Sequence, residues 1–159
     1  MKNKSIYLCR CACIAALYVL LTFLSSAFGL ASGVIQVRIS EALTILPVFT
    51  FTAVPGLTVG CLIANILTGS VLIDCIGGAF ATFIGAVLSY FLRKKPFLAF
   101  LPPVLSNAVI IPFILQYAYG VPNSYPYLMT TVGIGEIISV GIFGFILYKS
   151  LKNKPFLLN

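Results

Sequence analysis

Three carboxylates, one unclustered arginine and two asparagines are the residues of this chain most suited to chemistry: Glu41, Asp74, Glu136, Arg38, Asn65 and Asn107. Glu136 stands out because it lies inside the apolar run 127–148, which is long enough to cross a bilayer. A charged side chain near the middle of such a run costs at least roughly 2.5–3.5 kcal/mol. A chain with 3 acidic residues in 159 either pairs that carboxyl group or uses it. Carboxylates can accept paired hydrogen bonds from a ligand or carry a proton. The asparagines can both donate and accept.

Several chemistries are excluded. No histidine is present, so a His-Glu zinc motif is impossible. A Gly-x-Ser-x-Gly elbow and a phosphate-cradling Gly-x-x-x-x-Gly-Lys loop are also missing. An intramembrane aspartyl protease would need two aspartates at one depth, and Asp74 stands alone. Cys9-x-Cys11-x-Cys13 resembles a metal site, but residues two apart on a helix point about 200° away from each other. These cysteines therefore read as small apolar fillers, with no metal and no cofactor. If the chain moves solute against a gradient, the energy comes from an ion gradient or from another subunit.

The elements that must position these residues follow from composition. The chain is 60% hydrophobic and 8% charged, against about 25% charged in soluble domains. The class is an all-α polytopic membrane protein, organised as one integral-membrane domain over 1–159. Apolar runs lie at about 11–33, 40–54, 56–72, 74–92, 98–119 and 127–148, with Val54-Pro55-Gly56 separating the second from the third. The N-terminal stretch reads as a retained first helix, not a cleaved signal. All the basic residues but Arg38 cluster beside these runs: Lys2, Lys4 and Arg10, then Arg93, Lys94 and Lys95, then Lys149, Lys152 and Lys154. Such clusters mark cytoplasmic loops and argue against nucleic acid as a partner. Six transmembrane helices with both termini cytoplasmic satisfy every cluster; five do not.

In this topology Arg38 and Glu41 fall near the outer mouth, three residues apart, where they can pair, or Arg38 can snorkel to headgroups. Asp74 either caps the fourth helix or serves a site. Asn65, Asn107 and Glu136 each lie about nine residues into their helices, roughly 13–14 Å deep. They can form one interior network, or the asparagines can be hydrogen-bonded glue between helices. The tyrosines flanking the loop 119–127 read as an interfacial belt. Two ridges of small residues, Gly56/Gly60/Ala64 and Gly77/Ala81/Gly85/Ser89, suit close helix packing. Ala12 and Ala16 offer either internal packing or a face for a partner.

One family matches these residues. Gly33-Val-Ile-Gln-Val-Arg-Ile-Ser-Glu-Ala-Leu-Thr-Ile-Leu-Pro47 resembles the QueT family of queuosine-precursor transporters, which are substrate-binding S components of energy-coupling factor (ECF) transporters. The likeness continues through Ala53-Val-Pro-Gly-Leu-Thr-Val-Gly-Cys-Leu-Ile-Ala-Asn65, Asp74 and Gly77-Gly-Ala-Phe-Ala-Thr82. It resumes at Leu101-Pro-Pro-Val-Leu-Ser-Asn-Ala108 and Gly133-Ile-Gly-Glu136. The resemblance implies an S-component-like six-helix bundle in a bacterial cell membrane, with no enzyme activity of its own. It implies docking through Ala12 and Ala16 onto a transmembrane coupling subunit (T component) driven by two ATPase subunits, with Ala15 leaving the register open. It implies a 7-deazaguanine ligand: the nitrile or aminomethyl precursor of queuosine, or queuine. Glu136 with Asn107 would then take the base edge, Glu41 or Asp74 the outer end of the ligand, and Arg38 would orient Glu41. The alternatives are an S component for another vitamin-like solute, or a stand-alone proton-coupled carrier or membrane enzyme using Glu136.

Overall fold

A computed structural model describes residues 2–30 and 35–154, and these form six helices with no strand among them. Helix α1 runs Lys2–Ala27. It contains no glycine or proline, so nothing interrupts it. It ends in a Schellman motif, in which the Leu30 N–H donates to the Ser25 carbonyl and the Gly29 N–H to that of Ser26. Gly29 takes φ 69°, a conformation that favours glycine. The run expected at 11–33 therefore starts earlier and leaves the helix at Ala27; residues 31–33 lie outside the described part.

The sequence places a helix at 40–54 and a break at Pro55. The structure has a ten-residue 3-10 helix, α2, at Ile39–Val48, and an α-helix, α3, at Ala53–Leu67. The break thus precedes Pro55, which sits in the first turn of α3, where its missing N–H is not needed. Ten residues wound as 3-10 reach about 20 Å, against about 15 Å as α-helix. The tighter winding lets a short segment cover more of the core. Every residue from Ser40 to Pro47 is buried, and α2 contacts each of the other five helices.

Helix α4 is Leu72–Phe91. Helix α5 spans Leu98–Tyr117, opening with a 3-10 turn at Leu98–Phe100. Helix α6 spans Tyr125–Leu151 and is α-helical to Glu136, π-helical over Ile137–Phe143, then α-helical again. By length and composition α1, α4, α5 and α6 can cross a membrane, while α2 and α3 are shorter apolar helices. Their outer faces expose large apolar side chains such as Leu20, Leu72, Ile76, Phe91 and Phe113, a surface suited to lipid and not to water.

The small-residue ridges pack inside the chain. A Cβ on Gly56 would stand 2.9 Å from the Cys11 carbonyl oxygen, and one on Gly60 would stand 3.0 Å from Ala15 Cα. The ridge on α3 is therefore seated against the α1 backbone. On α4, Gly85 meets Pro103 of α5, and the Ser89 hydroxyl donates to the Ala99 carbonyl at 2.7 Å. One end of the bundle is filled by aromatic rings: Phe49 stacks on Tyr148 at 5.5 Å, and Phe100 meets the same tyrosine edge-on. The basic loop after α4 lies at this end, with Arg93 over the Tyr90 ring at 4.3 Å.

Substituting Gly60→Ala places the new Cβ 2.8 Å from Tyr18 Cβ. The expected loss is about 1–3 kcal/mol of stability, read as a lower thermal unfolding midpoint in detergent. An unchanged midpoint would contradict this close approach of α1 and α3.

Candidate functional site

The acidic side chains gather at the opposite end from the aromatic rings. Helix α1 prepares their positions with a polar stripe at spacings of four and three: Tyr18, Thr22 and Ser25, all buried. The Ser25 hydroxyl accepts the Ile39 N–H at 2.8 Å, and the Thr22 hydroxyl donates to Ser40 Oγ at 2.9 Å. The Tyr18 hydroxyl donates to Glu41 Oε1. Three successive residues at the start of α2 are thereby pinned to one face of α1. Within α2 the Thr44 hydroxyl donates to the Glu41 carbonyl at 2.6 Å.

Arg38, the residue before α2, is carried into the bundle with this segment. Its guanidinium donates to Asn65 Oδ1 at 3.3 Å. Asn65 in turn donates from Nδ2 to the Asp74 carbonyl at 3.4 Å, tying α3 to α4. The close approach of Gly78 to the Asn65 amide, where a Cβ would stand 2.8 Å from Nδ2, locks this contact. Asn65 is the inter-helix glue that one reading of the sequence allowed. It lies two residues from the end of α3, not near its middle.

Arg38, Glu41, Asn107 and Glu136 line a single narrow cleft with a cavity volume of about 30 Å³. Gln36, Cys61, Thr82 and Val132 form more of its wall. Glu41 and Glu136 are only 3% and 8% exposed. The Asn107 side chain lies beside both carboxyl groups. Glu41 Oε2 and Glu136 Oε2 are buried with no hydrogen-bond partner among the described residues. Buried polar atoms without partners are rare in folded proteins. Two on one cleft make it a site that can accept donors. Close packing shapes its rim: a Cβ on Gly135 would stand 2.1 Å from the Gln36 carbonyl oxygen, so only glycine lets α6 pass this segment.

Four of the six anticipated residues thus meet, and the other two stand behind them. Arg38 and Glu41 do not form the local pair that their spacing suggests. Arg38 reaches Asn65 while Glu41 takes the Tyr18 hydroxyl, though the two charges still feel one another. Arg38 also lies near enough to Glu136 to act on its charge. Asp74 makes no capping hydrogen bond to its helix. Its carboxylate accepts the Tyr119 hydroxyl at 2.9 Å, outside the cleft lining. Partial burial pushes the Tyr119 phenol above the usual tyrosine range, and the Asp74 carboxylate adds to this. Tyr117, Tyr119 and Tyr127 are exposed, in keeping with a belt.

Tyr18, Thr22, Ser25, Gln36 and Thr82 go beyond the sequence reading. The α1 stripe has a signal in its spacing: three polar groups on one face of an apolar helix. Cys61, to which the sequence assigned no role, faces the cleft. At the other end of α1, Ala15 is turned inward against Gly60, while Ala12 and Ala16 are exposed. Among the described residues no group of acidic or sulfur ligands converges as a metal site.

A family model described as QueT transporter matches residues 8–153. The queuosine precursor transporter QueT of Lactococcus lactis subsp. cremoris (strain MG1363) is 29% identical over 160 residues, covering 93% of this chain and 94% of the relative. No solved structure matches.

Substituting Tyr18→Phe leaves Glu41 Oε1 without its donor. The expected loss is about 1–3 kcal/mol of stability, measured by thermal unfolding in detergent. A midpoint equal to the parent's would show that the hydroxyl does not support Glu41.

Proposed function

The chain belongs to the QueT transporter family, and from that premise we propose that it is the substrate-binding membrane subunit of an ATP-driven importer of the ECF type. It is a transporter and not an enzyme, and an integral membrane protein. The proposed cargo is a 7-deazaguanine precursor of queuosine, the class named for its Lactococcus relative. The proposed setting is a bacterial cell membrane crossed six times. The aromatic, basic end and both termini would face the cytoplasm, as positive clusters do, and the acidic cleft would open outward.

The observation that carries this reading is the pair of unpartnered carboxyl oxygens, on Glu41 and Glu136, in one cleft. A guanine edge presents an N1–H and an exocyclic amine side by side, and a carboxylate accepts both. Glu136, with Asn107 beside it for the carbonyl and ring nitrogens, suits that edge. Glu41 suits a cationic aminomethyl group on the 7-position. Asp74 fits that second role less well, because Tyr119 already occupies its carboxylate and it stands outside the lining. Arg38, anchored by Asn65, offsets the two carboxylates and limits the charge left in the apolar interior.

The exposed pair Ala12 and Ala16 supports docking onto a coupling subunit, because small residues let helices approach closely in lipid. ATP hydrolysis would take place on two further subunits.

Three experiments check the reading. Native mass spectrometry of the purified chain with the aminomethyl deazaguanine should show one bound ligand, and Glu136→Gln should weaken binding by at least about tenfold. Affinity within twofold of the parent would remove Glu136 from the base edge. Replacing Ala12 and Ala16 by leucine should abolish co-purification of the coupling and ATPase subunits while leaving ligand binding intact. Proton-driven uptake by this chain alone in liposomes would overturn the ECF arrangement and make Glu136 a proton carrier.

A further inference from the structure

A second cavity adjoins the charged cleft. It has a volume of about 340 Å³, between the end of α5, the loop that follows, and the start of α6. Gln36 and Val132 belong to the walls of both spaces, so the two adjoin there. The linings differ in chemistry. The cleft carries Arg38, Glu41 and Glu136. Among the described residues no charged side chain lines the second cavity, whose polar groups are the amides of Gln36 and Asn123, the Tyr127 phenol and the Thr131 hydroxyl. Leu115 and Leu128 supply an apolar wall. The Thr131 hydroxyl donates to the Leu128 carbonyl at 3.0 Å and keeps its lone pairs for another donor.

We infer that this neutral cavity is a second subsite, which takes a hydroxyl-bearing ring carried on the 7-substituent of the deazaguanine. The inference rests on the deazaguanine reading of the charged cleft and extends it to the size of ligand accepted. The bicyclic base and an amine on the first carbon of the substituent stay with the carboxylates. A neutral ring bearing hydroxyls passes between Gln36 and Val132. Its hydroxyls meet amide and phenol groups that can donate and accept, and the Thr131 hydroxyl, which accepts. Its hydrocarbon face meets the leucines. The cleft alone is small, so a ligand with an extended substituent needs the second space. A neutral lining would give nothing to a bare aminomethyl group, which remains in the cleft.

The test compares two probes on the purified full-length chain in detergent: the aminomethyl deazaguanine and queuine, which adds a cyclopentene diol beyond the amine. The parent should bind both. Val121→Trp fills the second cavity from its loop wall without touching the cleft. It should weaken queuine by at least about tenfold and leave the aminomethyl ligand within about twofold. Asn123→Ala, at an exposed loop position, should weaken queuine alone by a few-fold. Retained binding of the smaller ligand reports that each variant is folded. Discrimination between the ligands in either variant supports the subsite. Its absence in both, with the parent binding both probes or only the smaller one, overturns the subsite alone. Failure of the parent to bind either probe overturns the deazaguanine reading and the subsite with it.

Discussion

Two carboxyl groups and a guanidinium held inside an apolar bundle set the terms that the rest of this structure meets. An uncompensated buried charge is expensive, so the chain surrounds these three with fixed partners. Tyr18 serves Glu41, Asn65 serves Arg38, and Asn107 lies between the carboxyl groups. Those partners come from α1, α3 and α5, which must therefore hold their register to within a fraction of an ångström. The small-residue ridges supply that precision: α3 is seated on the α1 backbone at Gly56 and Gly60, and α4 on α5 at Gly85. Close backbone packing and buried charge are thus two sides of one design. The compensation stops short of completion, because one oxygen of each carboxyl group is left over. That remainder gives the cleft its capacity to recognise donors.

Helix α2 is where these demands converge. It starts at the cleft and ends among the aromatic rings, touching every other helix on the way. A 3-10 helix of this length is unusual, since its hydrogen bonds are less well aligned than those of an α-helix. Here the winding is held from outside by the α1 stripe, whose hydroxyls engage Ile39, Ser40 and Glu41 in turn.

Much of this was legible in the residues, and the gaps have physical causes. An apolar run interrupted by one carboxylate singles out Glu136 without any structure, and rise per residue brings Asn107 to its depth. Arg38 was legible as an exception to the basic clusters and as a neighbour of Glu41, but its hydrogen bond to Asn65 was not. Its position depends on the non-helical residues just before α2, which have no periodicity to read. Proline misled the boundary between α2 and α3, because Pro55 is as compatible with a first helical turn as with a break. The winding of α2 left no mark, since 3-10 and α-helices draw on the same residues. The Tyr18, Thr22 and Ser25 stripe was legible and went unread, because hydroxyls in an apolar helix are easily taken for ones that satisfy themselves on the preceding turn.

The π-helical stretch in α6 has a consequence for rotational phase. Gly135 faces the Gln36 carbonyl and Gly144 faces that of Ala42, so both look toward the same strand of chain at and before α2. Nine residues of α-helix would turn the second to the opposite side, since they amount to two and a half revolutions at about 3.6 residues per turn. The wider π-turns rotate less per residue and absorb the difference. Helix α6 thereby keeps one continuous face on α2, presenting Glu136 to the cleft and Tyr148 to Phe49 from a single rod. Its two halves are phased like the teeth of a key cut for one lock. A one-residue change in the spacing between Glu136 and Gly144 would therefore detune the cleft and the aromatic end against each other, although neither had itself been altered.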